Sequence, residues 1–231
     1  MDLIKEKHLE MLRKVARRLG ETGNMVVYVG GSVAGLFSTD PASSDIRATA
    51  DVDLIADVRS RSEYWKMEEA FRELGFKHVP EIVCRWRLGD LFVDLMPPED
   101  GIAGTSTNRW YRDAIRNSQK KDIGDGVFIR LVTPPYFVAT KLEAFLNRGK
   151  DDYMASHDLE DVIAIVDARE ELPEEIATAD HEVRKFISEL FARFLEDPKF
   201  LESLPGKLRG DAANQARLPI IVMRMEKIAR L

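Results

Sequence analysis

The residues best suited to chemistry lie in three short stretches. Asp51 and Asp53 flank Val52 in TADVDLIADV. Alternate residues of a strand share a face, so both carboxylates project together while Val52 and Leu54 turn to a core. Two carboxylates on one face repel unless a cation lies between them, and a hard divalent ion suits an all-oxygen donor set: Mg²⁺, with Mn²⁺ as an alternative. Upstream, Gly30-Gly31-Ser32 ends the apolar run 25–29. Such a turn can offer bare backbone N–H groups and a hydroxyl to a phosphate. A third carboxylate, Asp94, lies in Phe92-Val93-Asp94-Leu95-Met96, an alternating run that stops at Pro97-Pro98.

The elements that must position these residues follow from periodicity. Residues 2–19 carry apolar positions at helical spacing and stop at Gly20. The basic face of that helix, with Arg13, Lys14, Arg17 and Arg18, reads as solvated rather than as an RNA contact. A buried strand at 25–29, the Gly-Gly-Ser turn and a small apolar helix at 33–37 come next. The polar loop STDPASSDIRATA then leads to the Asp51 strand. Ser62 is the expected cap of a helix over 64–74 that ends at Gly75. Two alternating runs, 82–87 and 91–96, meet at Gly89-Asp90, a hairpin signal. A helix over 109–119 and a last strand over 127–132 complete an α/β domain of residues 1–133. Beyond Pro134-Pro135 the pattern turns helical, with helices expected over 136–147, 159–168, 182–195 and 215–231 and a second domain of residues 134–231.

The order strand, Gly-Gly-Ser, helix, Asp-x-Asp strand, hairpin, Asp strand resembles the nucleotidyltransferase superfamily typified by polymerase β. Within it the sequence is most similar to the stand-alone nucleotidyltransferases grouped with abortive-infection toxins and the toxin halves of toxin–antitoxin pairs. The loop between Ser32 and Asp51 is longer than the usual pattern, an insertion that chain entropy tolerates easily. The resemblance implies a mixed sheet with flanking helices, followed by a helical domain that closes the nucleotide cleft. It further implies transfer of an NMP from an NTP to an acceptor hydroxyl with release of pyrophosphate. Asp51, Asp53 and Asp94 would hold the metal ions, and Gly30, Gly31 and Ser32 would cradle the phosphates. Lys141, in ATKLEAFLNRG, would contact the triphosphate, and Asp158, or Asp161 three residues on, would hold that lysine or line the acceptor side.

Several of these residues also have ordinary structural readings. A lysine on an amphipathic helix is commonly solvated. Asp158 is placed to cap the helix from Leu159. Arg47 and Thr49 either reach a phosphate or close the loop before Asp51. Trp110 and Tyr111, beside Asn108 and Arg109, either stack on a base or pack the hairpin against the next helix. His78 and His157 have no second ligand at zinc spacing.

Composition bounds the partners. At 231 residues with 45% hydrophobic content the chain can bury a core. A formal charge of −6 gives no general attraction to nucleic acid. The single cysteine, Cys84, excludes an internal disulfide and reads as a core residue. The charged start is unlike a secretion signal, so a cytoplasmic protein is expected, with neither membrane nor DNA as a partner. The acceptors implied by the resemblance are the 3′ end of tRNA or a protein such as a cognate antitoxin. An aminoglycoside-type antibiotic, which is cationic, is the alternative substrate, and a member that binds nucleotide or partner without transfer is the rival class.

Overall fold

The computed structural model describes residues 3–43, 46–103, 107–148 and 152–231. The chain divides into two compact units: Met1–Val33 with Ala48–Thr133, and Ala34–Arg47 with Pro134–Leu231. The sequence places residues 34–47 with the first unit; in the structure they cluster with the helices. Asp2 of the first expected helix and Ser44 and Asp45 of the expected loop lie outside the described residues.

The first unit is built on a seven-stranded sheet. Helix α1, Leu3–Leu19, buries Met11, Leu12, Val15 and Leu19 on one face, and a 3-10 turn, Gly20–Met25, leads into β1, Val26–Val29. The other strands are β2 (Asp51–Ala56), β3 (Lys77–His78), β4 (Arg85–Leu88), β5 (Leu91–Met96), β6 (Gln119–Asp122) and β7 (Phe128–Leu131). Their spatial order is β3-β4-β5-β2-β1-β7-β6. The sheet is mixed: β2 runs antiparallel to β1 and parallel to β5, while β1 runs parallel to β7. All four residues of β1 are buried, as expected of a strand covered on both faces.

Helix α2, Arg61–Glu73, packs on the apolar side of this sheet. Phe71 meets Trp86 edge-on at 5.5 Å, and the Tyr64 hydroxyl donates to the Leu95 carbonyl at 2.6 Å. The helix starts three residues earlier than the sequence suggests. Its cap is Ser60, not Ser62: Ser60 accepts from the Glu63 amide, and the Glu63 carboxylate reaches back to the Arg59 amide. Two serines two residues apart are equal candidates by type, and Glu63 at the third helical position selects the first of them. The strand expected at 82–87 begins only at Arg85, leaving Ile82 and Val83 exposed. The helix expected over 109–119 shortens to α3, Tyr111–Arg116, because Gln119 already belongs to β6. Strand β6, QKKD, is exposed at every position and has no apolar alternation to announce it.

The second unit is helical. It contains α4 (Pro134–Arg148), α5 (His157–Ala168), α6 (Leu172–Ala177), α7 (His181–Glu196), α8 (Pro198–Ser203), α9 (Ala212–Gln215) and α10 (Leu218–Ala229). The helix expected over 215–231 is α10, which begins only at Leu218, after the short α9 that ends at Gln215. Phe145, Phe194 and Phe200 form an aromatic core with the ring of Tyr153. The segment 34–47 is tied to it by Phe37 against Phe137 at 5.0 Å, by the Thr39 and Asp40 amides on the Ala168 carbonyl, and by Arg217 on Asp40 at 2.6 Å. Among the described residues no helix is long and apolar enough to cross a membrane.

Candidate active site

The pairing of β2 with β5 brings the three carboxylates together. Asp53 is the register partner of Asp94 and Asp51 that of Phe92, and partners in neighbouring strands share a face. On that face Asp51, Asp53 and Asp94 are half-buried, and one oxygen of each lies within 4.8 Å of the others. Val52, Leu54, Val93 and Leu95 occupy the opposite, fully buried face. Among the described residues this is the one group of three or more acidic, histidine or cysteine side chains close enough to share an ion. Its donors are all hard oxygens, which fits Mg²⁺ or Mn²⁺ and gives no support to zinc.

The glycine turn is locked to one of these carboxylates. Gly30 has φ +75°, a conformation that side chains rarely adopt. A Cβ there would lie 1.8 Å from Asp53 Oδ2 and 2.8 Å from Asp53 Cβ. Only glycine lets the chain leave β1 while Asp53 lies against its backbone. The 3-10 helix Gly31–Phe37 follows, and Ser32 at its start is 1% exposed. Among the described residues the Ser32 hydroxyl has no hydrogen-bond partner. A buried hydroxyl left unpaired is unfavourable by roughly 1–3 kcal/mol, so a ligand oxygen or water would find a ready partner there. Thr49 sits on the other side: its hydroxyl donates to Asp51 Oδ1 at 2.5 Å, and its amide donates to His8 Nε2 at 3.2 Å. Thr49 therefore orients Asp51.

One charged group escaped the sequence reading. Arg85, the register partner of Asp94 on β4, donates through Nε to Asp94 Oδ1 at 2.7 Å and through a terminal nitrogen to Oδ2 at 2.6 Å. The same nitrogen lies 3.4 Å from Asp51 Oδ2. These hydrogen bonds to Asp94 raise the guanidinium pKa beyond its ordinary value. Nothing in the sequence singles out Arg85, since an arginine on an alternating strand reads as solvated until the register is known.

The same register lays a second row across the sheet. Asp51 pairs with Phe92, Phe92 with Arg87, and Arg87 with Lys77. At about 4.8 Å per strand the row spans roughly 14 Å. Phe92 is 37% exposed, and the exposed Arg87 and Lys77 form no ion pair among the described residues. An exposed ring, with the Arg85 guanidinium 5.2 Å from its centre, and two exposed cations thus share a face with the carboxylates.

Lys141, Asp158 and Asp161 meet in the helical unit. Lys141, buried on α4, lies 2.6 Å from Asp161 Oδ2 and 3.3 Å from Asp158 Oδ1. Asp158 also accepts two hydrogen bonds from Arg148, both 2.9 Å, and Arg47 approaches Asp161 at 3.6 Å. Lys141 is thus held by acidic partners rather than solvated. Asp158 does not cap α5: Ser156 does, accepting from the Leu159 amide at 3.2 Å. Burial pushes the Asp158 carboxyl up, but the Arg148 hydrogen bonds and the Lys141 and Arg148 charges outweigh it and hold the group below the ordinary carboxylate range.

The remaining candidates are structural. Trp110 is buried, with Arg109 over its ring at 5.2 Å, so it packs rather than waits for a base. His78 lies against Trp86, and His157 pairs with Glu160. Arg13 and Arg17 of the basic helix face reach Ile123 and Asp125.

No known family model matches the sequence, and no curated protein matches it significantly. Among solved structures the chain is similar to JHP933 from Helicobacter pylori, with a TM-score of 0.51 and 12% identity over 100% of this chain and 94% of that one. It is also similar to an antigenic nucleotidyltransferase-like protein from Paracoccidioides brasiliensis, with a TM-score of 0.48 and 15% identity over 88% of this chain and 94% of that one. The likeness to JHP933 is one of fold, and the chemistry has to be argued from the residues themselves.

Proposed function

We propose that this chain is a Mg²⁺-dependent nucleotidyltransferase that moves an NMP from an NTP to a terminal hydroxyl of RNA. The observation that carries the reading is the convergence of Asp51, Asp53 and Asp94 on adjacent strands, with Asp53 packed against Gly30 in the turn that holds the unpaired Ser32 hydroxyl. Asp51 and Asp53 would hold the ion, with Asp94 closing the cluster. When bound, Mg²⁺ supplies charge neutralisation for the triphosphate. The backbone of Gly30 and Gly31 and the Ser32 hydroxyl bind phosphate oxygens. Thr49 fixes the Asp51 carboxylate in one orientation. The acceptor oxygen forms a new bond to the α-phosphorus, the bond to the bridging oxygen breaks, and pyrophosphate leaves with those electrons while the acceptor proton passes to solvent. Positioning and electrostatics account for nearly all of such catalysis.

The row Asp51, Phe92, Arg87, Lys77 supports RNA as the acceptor over a protein, because a partly exposed ring and two exposed cations share the face of the carboxylates. Membership of a toxin–antitoxin pair rests on the sequence resemblance alone. One observation favours a binding-only protein: Arg85 already grips Asp94 through both carboxylate oxygens. The two readings part in a single assay. Four α-³²P-labelled NTPs are incubated with Mg²⁺ and total RNA, total protein or a small-molecule pool, beside Asp51→Ala. Label in RNA that vanishes in the variant is the expected result. Label in protein moves the acceptor, label in the small-molecule pool makes it an antibiotic-like substrate, and no label under any condition overturns the reading.

A further inference from the structure

Nucleotidyl transfer is commonly written with two metal ions, one bridging the triphosphate and one activating the acceptor oxygen. The contacts of Arg85 are hard to reconcile with the second. Its fork engages both oxygens of Asp94, at 2.7 and 2.6 Å, and leans on Asp51 at 3.4 Å. This is the bidentate geometry in which arginine binds carboxylates most strongly. Backbone pairing of Arg85 with Asp94 fixes it, and the guanidinium lies 5.2 Å from the centre of the Phe92 ring. Both side chains are largely shielded, Arg85 24% and Asp94 14% exposed, so prising them apart would leave two charges poorly solvated.

Charge balance points the same way. Three carboxylates against one guanidinium leave two negative charges, which a single divalent ion cancels. A second divalent ion would leave a half-buried cluster with two positive charges.

We infer that Arg85 occupies the second cation position, so that the cluster takes one divalent ion, on Asp51 and Asp53, and Asp94 serves as the anchor of Arg85. For its meaning in catalysis this rests on the transferase reading above; as a statement about metal stoichiometry it stands apart. Asp94 is then a positioning residue, and the charge that faces the acceptor oxygen is a tethered guanidinium that cannot dissociate.

The test is titration of Mn²⁺ into the nucleotide-free full chain, followed by loss of the free-ion EPR signal. One bound ion is expected for the native chain. Asp94→Asn, which keeps shape and removes the anchoring charge, is expected to retain one ion, bound more weakly. Arg85→Gln is expected to bind two. Two ions in the native chain, one ion in Arg85→Gln, or a native ion that is lost altogether in Asp94→Asn would each overturn the inference and leave the transferase reading standing. No bound Mn²⁺ in any of the three proteins would overturn the inference, while the transferase reading stands or falls on the label-transfer assay. Should Arg85→Gln not fold, the native stoichiometry and Asp94→Asn decide the matter.

Discussion

On the sheet, three carboxylates face one guanidinium; among the helices, two carboxylates face an ammonium and two guanidiniums. The first cluster is half-buried and short of positive charge. In the second the carboxylates are buried, Asp158 and Asp161 side chains being 8% and 3% exposed, and their cationic partners lie within 3.6 Å, with Arg148 reaching in from the surface. Like charges forced together oppose folding, whereas a buried, fully partnered group resists removal. The contrast separates a cluster left with net negative charge from one whose carboxylates are matched by cations.

Substitution should break that symmetry in opposite directions. Asp53→Asn is expected to reduce NMP transfer by roughly 10³-fold, the scale of losing a principal electrostatic group. It should leave the sheet unit's thermal midpoint unchanged or higher, because a repulsion is relieved. Trp65, Trp86 and Trp110 all lie in the sheet unit, so tryptophan emission reports that midpoint on its own. A drop of many degrees would show that Asp53 is a structural group. Next comes Gly30→Ala. With its new Cβ 1.8 Å from the Asp53 carboxylate, it should depress transfer by about 10²-fold, a scale typical of ångström-level misplacement, with the far-UV spectrum preserved.

Asp161→Asn should do the reverse. Loss of the partner 2.6 Å from Lys141 is expected to destabilise the helical unit by about 3 kcal/mol, read as an earlier fall in ellipticity while tryptophan emission is unmoved. Equal shifts in both signals would end the idea of separate roles. Lys141→Ala, which leaves the buried Asp158 and Asp161 without their shared ammonium, is expected to destabilise the same unit by about 3 kcal/mol, and an unmoved ellipticity midpoint would show that the lysine does not hold the cluster.

The smallest effect concerns pH. The Asp158 carboxyl is held below its ordinary range by Arg148 and Lys141 in spite of burial. A group depressed in the folded state contributes stability above its unfolded value, near 4, and loses it as pH falls through the folded one. Acid titration should therefore lower ellipticity before tryptophan emission changes, and Asp158→Asn should flatten that first step.

How much of this was readable beforehand depends on whether the information is local. The alternation around Asp51, Asp53 and Asp94 is written in consecutive residues, and so is the glycine turn. Their meeting needs only that β2 and β5 be neighbours. Arg85 is different: its role exists only once register sets it opposite Asp94, and its own neighbours say nothing of it. Strand β6 was invisible because QKKD carries no buried face, its pairing being supplied by Phe128–Leu131. The sequence weighed Asp158 above Asp161 as the keeper of Lys141, yet Asp161 is nearer and Asp158 is shared with Arg148. Three and four residues along a helix both face the same neighbour, so spacing alone could not rank them.

The route of the chain has a consequence for inheritance. Residues 34–47 leave the sheet unit, join the helices and return, so the backbone passes between the units after Val33, after Arg47 and after Thr133. No single break yields two intact parts. A fragment ending at Thr133 would carry Phe37 and Ile46, both buried in the whole protein, stripped of the helices that cover them. The helical unit therefore cannot be exchanged as a cassette, and recombination between relatives at the obvious junction would have to carry the 34–47 loop along with the helices it belongs to.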